Sequence, residues 1–287
     1  MHPKTAERLV KEALTVGYRA LKERRDAKQS AKAHADVSTK GDKIVGAAII
    51  NYLRKEAPTG VIYTEERGQV TTNNSAEYSA ILDDIDGTLN FKEGNGMMPH
   101  GSILGIFNGA NPRFKDCIAA GFLEFNSGNL YYAVKGVGAF LVEDFVGNGK
   151  RHDSIRTSGR EKMKDTTPLK IGVDLYSFGD TVSRIMPFPI KEYWPVDVRC
   201  RAAHMAMVSY GGLDAFIGSN NFANPLKRST AEDLAPGYLI VSEAGGVMVD
   251  WEGNDLGPQK VGMAEGKEYQ VVIASTKKLA SALLKRI

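Results

Sequence analysis

Three aspartates lie within four positions of one another in this chain. Asp83, Asp84 and Asp86 follow an apolar, strand-like run, and Gly87 and Thr88 come directly after them. Carboxylates this close repel one another unless a cation or a proton offsets their charge. Mg²⁺ prefers oxygen ligands, commonly carboxylates together with substrate phosphate and water. The spacing predicts a divalent-metal site at the end of a strand, and the alternative is an Asp- and Gly-rich turn.

Two distant segments carry further acids at the ends of apolar runs. Glu65 and Glu66 close a short apolar run, whereas Glu232 and Asp233 begin a longer one that ends near residues 243–246. Such acids are also typical of solvated surface or of helix N-termini. A site for two or three ions needs more carboxylates than one loop supplies, so we expect acids from the separate segments to meet.

The order of these segments resembles the inositol monophosphatase family, within the Mg²⁺-dependent, lithium-sensitive phosphatases. The family's acidic pair after a strand is matched by Glu65-Glu66, and its D-P-(I/L)-D-G-T motif by residues 83–88. Its W-D-x-A-A-G motif is matched by residues 232–237, followed by a family-like E-A-G-G at residues 243–246. Residues 36–42 resemble its D-x-V-T-x-x-D motif. The resemblance covers most of the chain, from the first long helix to the C-terminus.

The resemblance implies oxygen ligands for two or three Mg²⁺ ions, with Mn²⁺ as an alternative metal. The ligands are Glu65, Asp83 and the carbonyl of Ile85 for one ion, and Asp83, Asp86 and Asp233 for the next, with Asp83 bridging. Glu65 would also help to place a third ion and the attacking water.

A Thr–Asp pair is implied as the group that removes a proton from the attacking water. Thr88 would accept this proton with Asp42 behind it, because a Thr hydroxyl alone is a weak base. Glu66 is expected just outside the ligands.

Phosphate contacts are expected at two helix starts, where backbone N–H groups lack partners within the helix. Gly87 and Thr88 open one of these helices, and Arg201 and Ala202 open the other. Lys227 and Arg228 lie in a polar segment, residues 218–229, that we expect to choose the substrate. The alternative for this segment is an ordinary solvated loop.

The central motif departs from the family and allows a rival interpretation. Asp84 stands in place of the motif's proline, and Glu232 in place of a tryptophan. We expect both to be exposed surface acids. Residues 84–89 also fit the D-x-D-G-T-(L/V) signature of haloacid dehalogenase-type phosphatases, in which Asp84 would be a nucleophile that forms an aspartyl-phosphate. That motif normally lies near the start of its domain, and the rival leaves Glu65 and Asp233 unexplained.

A non-catalytic protein that binds sugar phosphates is a further alternative. Its expected mark is the loss of metal carboxylates, but the matching acids are all present here. The favoured prediction is a phosphomonoesterase that uses metal-activated water on inositol 1-phosphate, fructose 1,6-bisphosphate or both.

Composition fits an enzyme of this kind. The chain has 287 residues, 43% of them hydrophobic and 25% charged, which suits one large domain or two joined ones. A net charge of +3 gives no case for nucleic-acid binding. Cys117 and Cys200 form neither a zinc pattern nor a disulfide framework, and neither a membrane span nor a signal peptide is predicted. We therefore expect a reduced, cytoplasmic protein.

The elements that must position these residues divide into two predicted halves. Residues 1–150 read as an α+β half, with helices over 4–29 and 41–56 and six strand-like runs after them. Residues 146–167 are polar and read as a connection, and residues 151–287 alternate strands and helices, including a helix near 178–186. The resemblance implies an α+β fold, a layered αβαβα sandwich of the sugar-phosphatase type with the metal site between the halves, and a homodimer.

Overall fold

The computed structural model describes residues 1–24, 39–57, 59–72, 77–173, 193–218, 229–262 and 269–286. Its helices are α1 (Pro3–Lys22), α2 (Lys40–Glu56), α3 (Thr88–Glu93), α4 (Arg201–Ser209), α5 (Ala231–Glu243) and α6 (Lys277–Leu284). Its strands are β1 (Thr59–Thr64), β2 (Gly68–Thr71), β3 (Tyr78–Asp86), β4 (Gly101–Asn108), β5 (Cys117–Glu124), β6 (Leu130–Val134), β7 (Gly138–Val142), β8 (Asp153–Ile155), β9 (Leu169–Val173), β10 (Tyr193–Val196), β11 (Ala215–Gly218), β12 (Val247–Asp250) and β13 (Val271–Ala274).

The strands form two sheets that are packed in layers with the helices. The larger sheet has the order β2-β1-β3-β4-β5-β6-β7-β8, and the smaller has the order β10-β9-β11-β13-β12. Helices α1 and α2 cover the outer face of the larger sheet, α4 and α5 fill the space between the sheets, and α6 covers the outer face of the smaller one. The predicted αβαβα sandwich is therefore confirmed.

The two N-terminal helices form from clear local signals. Leu9, Val10, Ala13 and Leu14 recur at helical spacing in α1 and are fully buried, as the amphipathic pattern predicts. Helix α1 ends at Lys22, short of the predicted residue 29, and residues 25–38 lie outside the described residues. Helix α2 covers the whole predicted span of 41–56 and begins one residue earlier, at Lys40.

Strand β3 lies inside the larger sheet and places the aspartates. Its Ile81 belongs to the core between the sheets, whereas Ala80 and Leu82 belong to the core under α1 and α2. Asp83 pairs with Ile103 of β4 and Asp86 pairs with Gly101, so β3 holds one extra residue over this interval. An extra residue of this kind is a β-bulge, which redirects the side chains that follow it. The bulge lets Asp83 and Asp86 share one face although three positions separate them.

Short elements account for most differences from the predicted secondary structure. Strand β8 lies inside residues 146–167, which were expected to be only a connection, and it pairs with β7. Strand β2 was not predicted, and β5 begins at Cys117 after a 3₁₀ turn rather than at Asp116. Strands of three or four residues carry too little alternation to be recognised. The helix predicted near 178–186 lies outside the described residues.

No helix among the described residues has both the length and the apolar content needed to cross a membrane. Cys117 and Cys200 are both buried as free thiols.

Candidate active site and metal centre

Three aspartates converge at the C-terminal end of β3 and the start of α5. Asp83, Asp86 and Asp233 each place one carboxylate oxygen within 4.8 Å of the others' oxygens, and all three residues are buried. Two of them come from the larger sheet, and the third comes from a helix between the sheets. The structure thus brings together three of the acids that the sequence assigned to one site.

Asp83 is the most deeply buried of the three aspartates. The residue is 1% exposed, and its Oδ1 atom has no hydrogen-bond partner among the described residues. Burial, followed by the charges of Glu65, Asp86 and Asp233, raises the pKa of the Asp83 carboxyl well above its usual value. A buried carboxylate without a partner is costly, and a cation offsets that cost. A donor set made of carboxylate oxygens fits a hard divalent cation.

Asp86 is held by the N-terminus of α4. The backbone N–H of Ala202 donates to its Oδ2, and the Cys200 Sγ lies 3.4 Å from the same oxygen. Burial and the charge of Asp233 raise the pKa of Asp86 to about 6, while the Ala202 N–H, Arg201 and Cys200 oppose that rise. The Ala202 N–H, which was expected to contact substrate phosphate, serves a site carboxylate in this structure.

Asp42 and Asp233 have the same local setting, since each is the third residue of a helix. The Asp42 Oδ2 accepts a hydrogen bond from the Thr39 N–H at 2.7 Å, and the Asp233 Oδ2 accepts one from the Thr230 N–H at 3.0 Å. Both pairs form capping boxes at the starts of α2 and α5. The positive ends of two helix dipoles therefore lie beside the acids and reduce their repulsion.

Thr88 lies between a carboxylate and a backbone carbonyl. Its Oγ1 is 3.0 Å from the carbonyl oxygen of Ile85 and 3.4 Å from the Asp42 Oδ1. A hydroxyl has one proton and donates to one acceptor at a time, so these two contacts compete for it. The pKa of Asp42 is raised to about 6. Burial is the largest cause, the hydrogen bonds from Thr39 oppose the rise, and the charge of Glu66 adds to it.

Gly87 forms the N-cap of α3 and requires a glycine. Its φ of +82° is left-handed, and an added Cβ would lie 2.9 Å from the carbonyl oxygen of Pro99 and 3.2 Å from the Cys200 Cβ. The chain can therefore turn directly from Asp86 into the helix that carries Thr88.

Glu65 and Glu66 follow β1 in the adjoining turn. Glu65 is exposed as a whole residue, yet its carboxyl group is close enough to the site for loss of solvation and the charges of Asp233 and Asp42 to raise its pKa well above the usual value. Glu66 is partly buried, and its charge acts on Asp42 and Asp84. Both residues therefore belong to the electrostatic surroundings of the site.

Arg201 forms an ion pair with Asp233, one of the three aspartates. Its guanidinium Nη1 lies 3.0 Å from the Asp233 Oδ2, and the two side chains are 19% and 8% exposed, respectively. The predicted role of Arg201 was contact with phosphate, and its pairing with Asp233 was not foreseen.

The expectation that Asp84 is an exposed surface acid is wrong. Asp84 is fully buried against α2, where Gly46 leaves room for its carboxyl group. Burial is the first cause, and the charge of Asp42 the second, of a rise in the pKa of Asp84 to about 8. Because Asp84 points to the opposite face of β3 from Asp83, it is not placed to attack a phosphate bound beside the three aspartates, as the dehalogenase-type mechanism requires.

Glu232 is partly buried rather than fully exposed, and burial raises its pKa. Lys227 and Arg228, expected to contact the substrate, lie outside the described residues.

Three supporting residues were missed in the sequence. Thr39 and Thr230 could have been found, because a Thr three positions before an Asp is the signature of a capping box. Cys200 gave no such signal, since its contact with Asp86 joins positions more than a hundred residues apart.

Comparisons with known proteins agree with this geometry. Residues 3–287 match the model of the inositol monophosphatase family. A fructose-1,6-bisphosphatase/inositol-1-monophosphatase of Thermococcus kodakarensis is 28% identical over 87% of this chain and 82% of its own length. The Nus factor SuhB of Haemophilus influenzae is 31% identical over 80% of this chain and 78% of its own. The structure of Leishmania major fructose-1,6-bisphosphatase aligns with a TM-score of 0.76 over 98% of this chain and 94% of its own, at 17% identity, and so supports the fold alone.

Proposed function

This chain belongs to the inositol monophosphatase family, and we propose that it is a Mg²⁺-dependent phosphomonoesterase that acts on inositol 1-phosphate, fructose 1,6-bisphosphate or both. The observation that carries the proposal is the buried, unpartnered Oδ1 of Asp83 beside two further carboxylates. A relative with both activities in its name supports the choice of substrates.

The proposed ligands of two or three Mg²⁺ ions are Glu65, Asp83, Asp86 and Asp233 together with the carbonyl of Ile85. Mn²⁺ has similar ligand preferences and is the expected substitute. When bound, such ions lower the pKa of water and neutralise charge on the phosphoryl and leaving oxygens. Glu66, just outside the ligands, adds negative charge near Asp42.

Thr88 and Asp42 are proposed to move the proton of the attacking water. The Thr88 Oγ1 would accept this proton and pass its own to the Asp42 Oδ1, which lies 3.4 Å away. If the carbonyl of Ile85 is engaged as a ligand, the Thr88 hydroxyl keeps Asp42 as its acceptor. Attack by water forms one P–O bond and breaks the bond between phosphorus and the sugar or polyol oxygen, which leaves as an alcohol after taking a proton from solvent water.

Phosphate is proposed to bind at the start of α3 through the N–H groups of Gly87 and Thr88. Arg201 would supply a charged donor to the same group, which suits a planar guanidinium. Lys227 and Arg228 remain proposed substrate contacts, whereas the N–H of Ala202 is taken by the Asp86 carboxylate. The division into halves at residues 1–150 and 151–287, the homodimer and the cytoplasmic location likewise stay predictions.

Phosphate release from the two substrates, with and without Mg²⁺, tests the proposal. We expect Asp83→Asn to lose activity by at least about 100-fold, because it removes charge from the bridging ligand position. Thr88→Val should lower kcat by roughly 10²-fold or more with little change in KM, as is typical when a proton acceptor is removed.

Asp84→Asn is the matched control, since it makes the same chemical change one residue away on the opposite face of β3. It should keep activity within a few-fold of wild type. Loss of activity in Asp84→Asn with phosphate trapped on the wild-type protein would instead favour the aspartyl-phosphate mechanism. Mg²⁺ and inositol 1-phosphate binding without turnover would favour a sugar-phosphate-binding protein.

A further inference from the structure

The ion pair between Arg201 and Asp233 places a permanent positive charge at a proposed ligand of a metal ion. The Asp233 Oδ2 lies within 3.3 Å of three donors, the Arg201 Nη1, the Thr230 N–H and the Thr230 Oγ1. A carboxylate oxygen has two lone pairs, so this oxygen is already saturated by protein donors. A cation that binds Asp233 through Oδ2 must therefore displace one of these donors, and a cation that binds through Oδ1 lies beside the guanidinium.

Repulsion between like charges also sets a bound cation against the Arg201 guanidinium. Asp83, Asp86 and Asp233 carry up to three negative charges within a few ångströms, and Arg201 offsets one of them. A divalent cation beside these aspartates would lie within a few ångströms of the guanidinium and be repelled by it. The same charge that stabilises the acidic site without metal therefore weakens the site for metal.

The Arg201 side chain is also less enclosed by the protein than the side chain of Arg160. It is 19% exposed, whereas the side chain of Arg160, in the Arg160–Asp214 pair elsewhere in the molecule, is 7% exposed. Arg160 additionally donates to backbone carbonyls of its own loop, including those of Lys162 and Met163. Arg160 is thus enclosed by its loop, whereas the Arg201 side chain keeps more contact with solvent.

We infer that Arg201 is an exchangeable counter-ion of Asp233: it occupies Asp233 when the metal is absent and transfers to the substrate phosphate when the metal binds. This inference rests on the proposed function, because it assumes that Asp233 is a metal ligand. Through this exchange Arg201 sets the metal affinity and couples metal binding to anion binding. Metal binding then releases a charged donor that can bind the substrate phosphate.

The test measures Mn²⁺ binding to the full chain after chelator treatment, by the electron paramagnetic resonance signal of free Mn²⁺. Arg201→Gln should bind Mn²⁺ roughly 10-fold more tightly than wild type, since one unit charge no longer opposes the ion. Arg201→Met keeps the aliphatic stem and should do the same if the Gln variant fails to fold. Arg201→Lys restores the charge and should return the affinity toward wild type.

Arg8→Gln is the matched control, because Arg8 forms a similar Arg–carboxylate pair with Glu12 on the outer face of the larger sheet. It should leave Mn²⁺ affinity unchanged. Inorganic phosphate is the second probe, and its affinity for the Mn²⁺-loaded protein should fall roughly 10-fold in Arg201→Gln, as expected for the loss of a charge-assisted hydrogen bond.

Two results would overturn the inference: equal or weaker Mn²⁺ binding in both neutral variants, or unchanged phosphate affinity in the loaded Arg201→Gln protein. Asp83→Asn separates this failure from a failure of the proposed function. If Asp83→Asn binds Mn²⁺ like wild type, the proposed metal site itself is wrong. If Asp83→Asn loses Mn²⁺ but the Arg201 variants behave like wild type, only the exchange is wrong.

Discussion

Asp83 and Asp84 are neighbours in the chain, but their carboxyl groups meet different surroundings. Asp83 shares its face of β3 with Asp86 and Asp233, whereas Asp84 is enclosed beside Gly46 of α2. Burial is the first cause of a raised pKa in both residues. A proton suffices to neutralise Asp84, while the acids around Asp83 form a group that a bound cation would neutralise together.

The buried Asp84 makes stability depend on pH in the metal-free protein. Its pKa is about 8 when folded against a usual value of 3.8, so the folded state holds a proton that the unfolded chain has released. Its contribution to stability is fully present below about pH 4 and is lost as pH rises to about 8, at up to about 1.4 kcal/mol per pH unit. Asp84→Asn lacks this loss and should gain stability relative to wild type between pH 5 and pH 8.

Urea unfolding of Asp84→Asn and wild type at pH 5, 6.5 and 8, in the presence of a chelator, measures this difference in the free energy of unfolding. Other acids of the site titrate in both proteins, so the quantity of interest is the difference between the variant and wild type. A difference that stays constant with pH would mean that Asp84 is ionised in the folded protein, against this prediction.

Among the elements, the junction of β3 and α3 does most to shape the site. The β-bulge turns Asp83 and Asp86 to one side, and Gly87 then reverses the chain so that Thr88 faces Asp42. Capping boxes at α2 and α5 orient Asp42 and Asp233 from their own helices. Each functional side chain is therefore fixed within one turn of an element end, where backbone geometry is most specific.

Gly87→Ala should disrupt this junction more than a comparable change nearby. Gly96 also has a left-handed φ, of +78°, but an added Cβ there meets nothing within 4 Å. Gly96→Ala should therefore lose only about 1 kcal/mol of stability, the usual cost of left-handed backbone in an L-residue. Gly87→Ala adds the contacts with Pro99 and Cys200 and should lose more stability together with most phosphatase activity.

Thermal unfolding and phosphate release measure both variants. Equal losses of stability in the two glycine variants, with activity kept in Gly87→Ala, would show that the junction tolerates a side chain.

The whole molecule brings its two sheets together around the site. The N-terminus of α4 holds Asp86 of the larger sheet, and the Asn90 Nδ2 donates to the carbonyls of Pro99 and Val198 at 2.7 Å each. The bonds from Ala202 to Asp86 and from Asn90 to Val198 join positions more than a hundred residues apart. Metal binding at Asp83, Asp86 and Asp233 would add a further link between β3 and α5.

Metal removal should therefore lower the stability of the whole protein. Saturating Mg²⁺ at about 100 times its Kd stabilises the folded state by about 2.7 kcal/mol, which corresponds to several degrees in Tm. Chelation should remove that gain in wild type. Asp83→Asn, with its ligand weakened, should unfold at the same temperature with and without Mg²⁺, and a metal-dependent Tm in this variant would contradict the assignment.

The family, the layered fold and the acids that meet near β3 were predictable from the sequence, because the order of its motifs resembles a family whose fold is layered. It also determined that Gly87 and Thr88 open a helix and that α2 and α5 begin near residues 41 and 231. Tertiary structure decided what depends on contacts between distant positions. Asp84 is buried because the packing of α2 covers its face of β3, and Arg201 meets Asp233 because α4 and α5 lie side by side between the sheets. Strand periodicity places Asp83 and Asp84 on opposite faces, but only the assembled layers decide which face gathers the three aspartates and which holds a single buried acid.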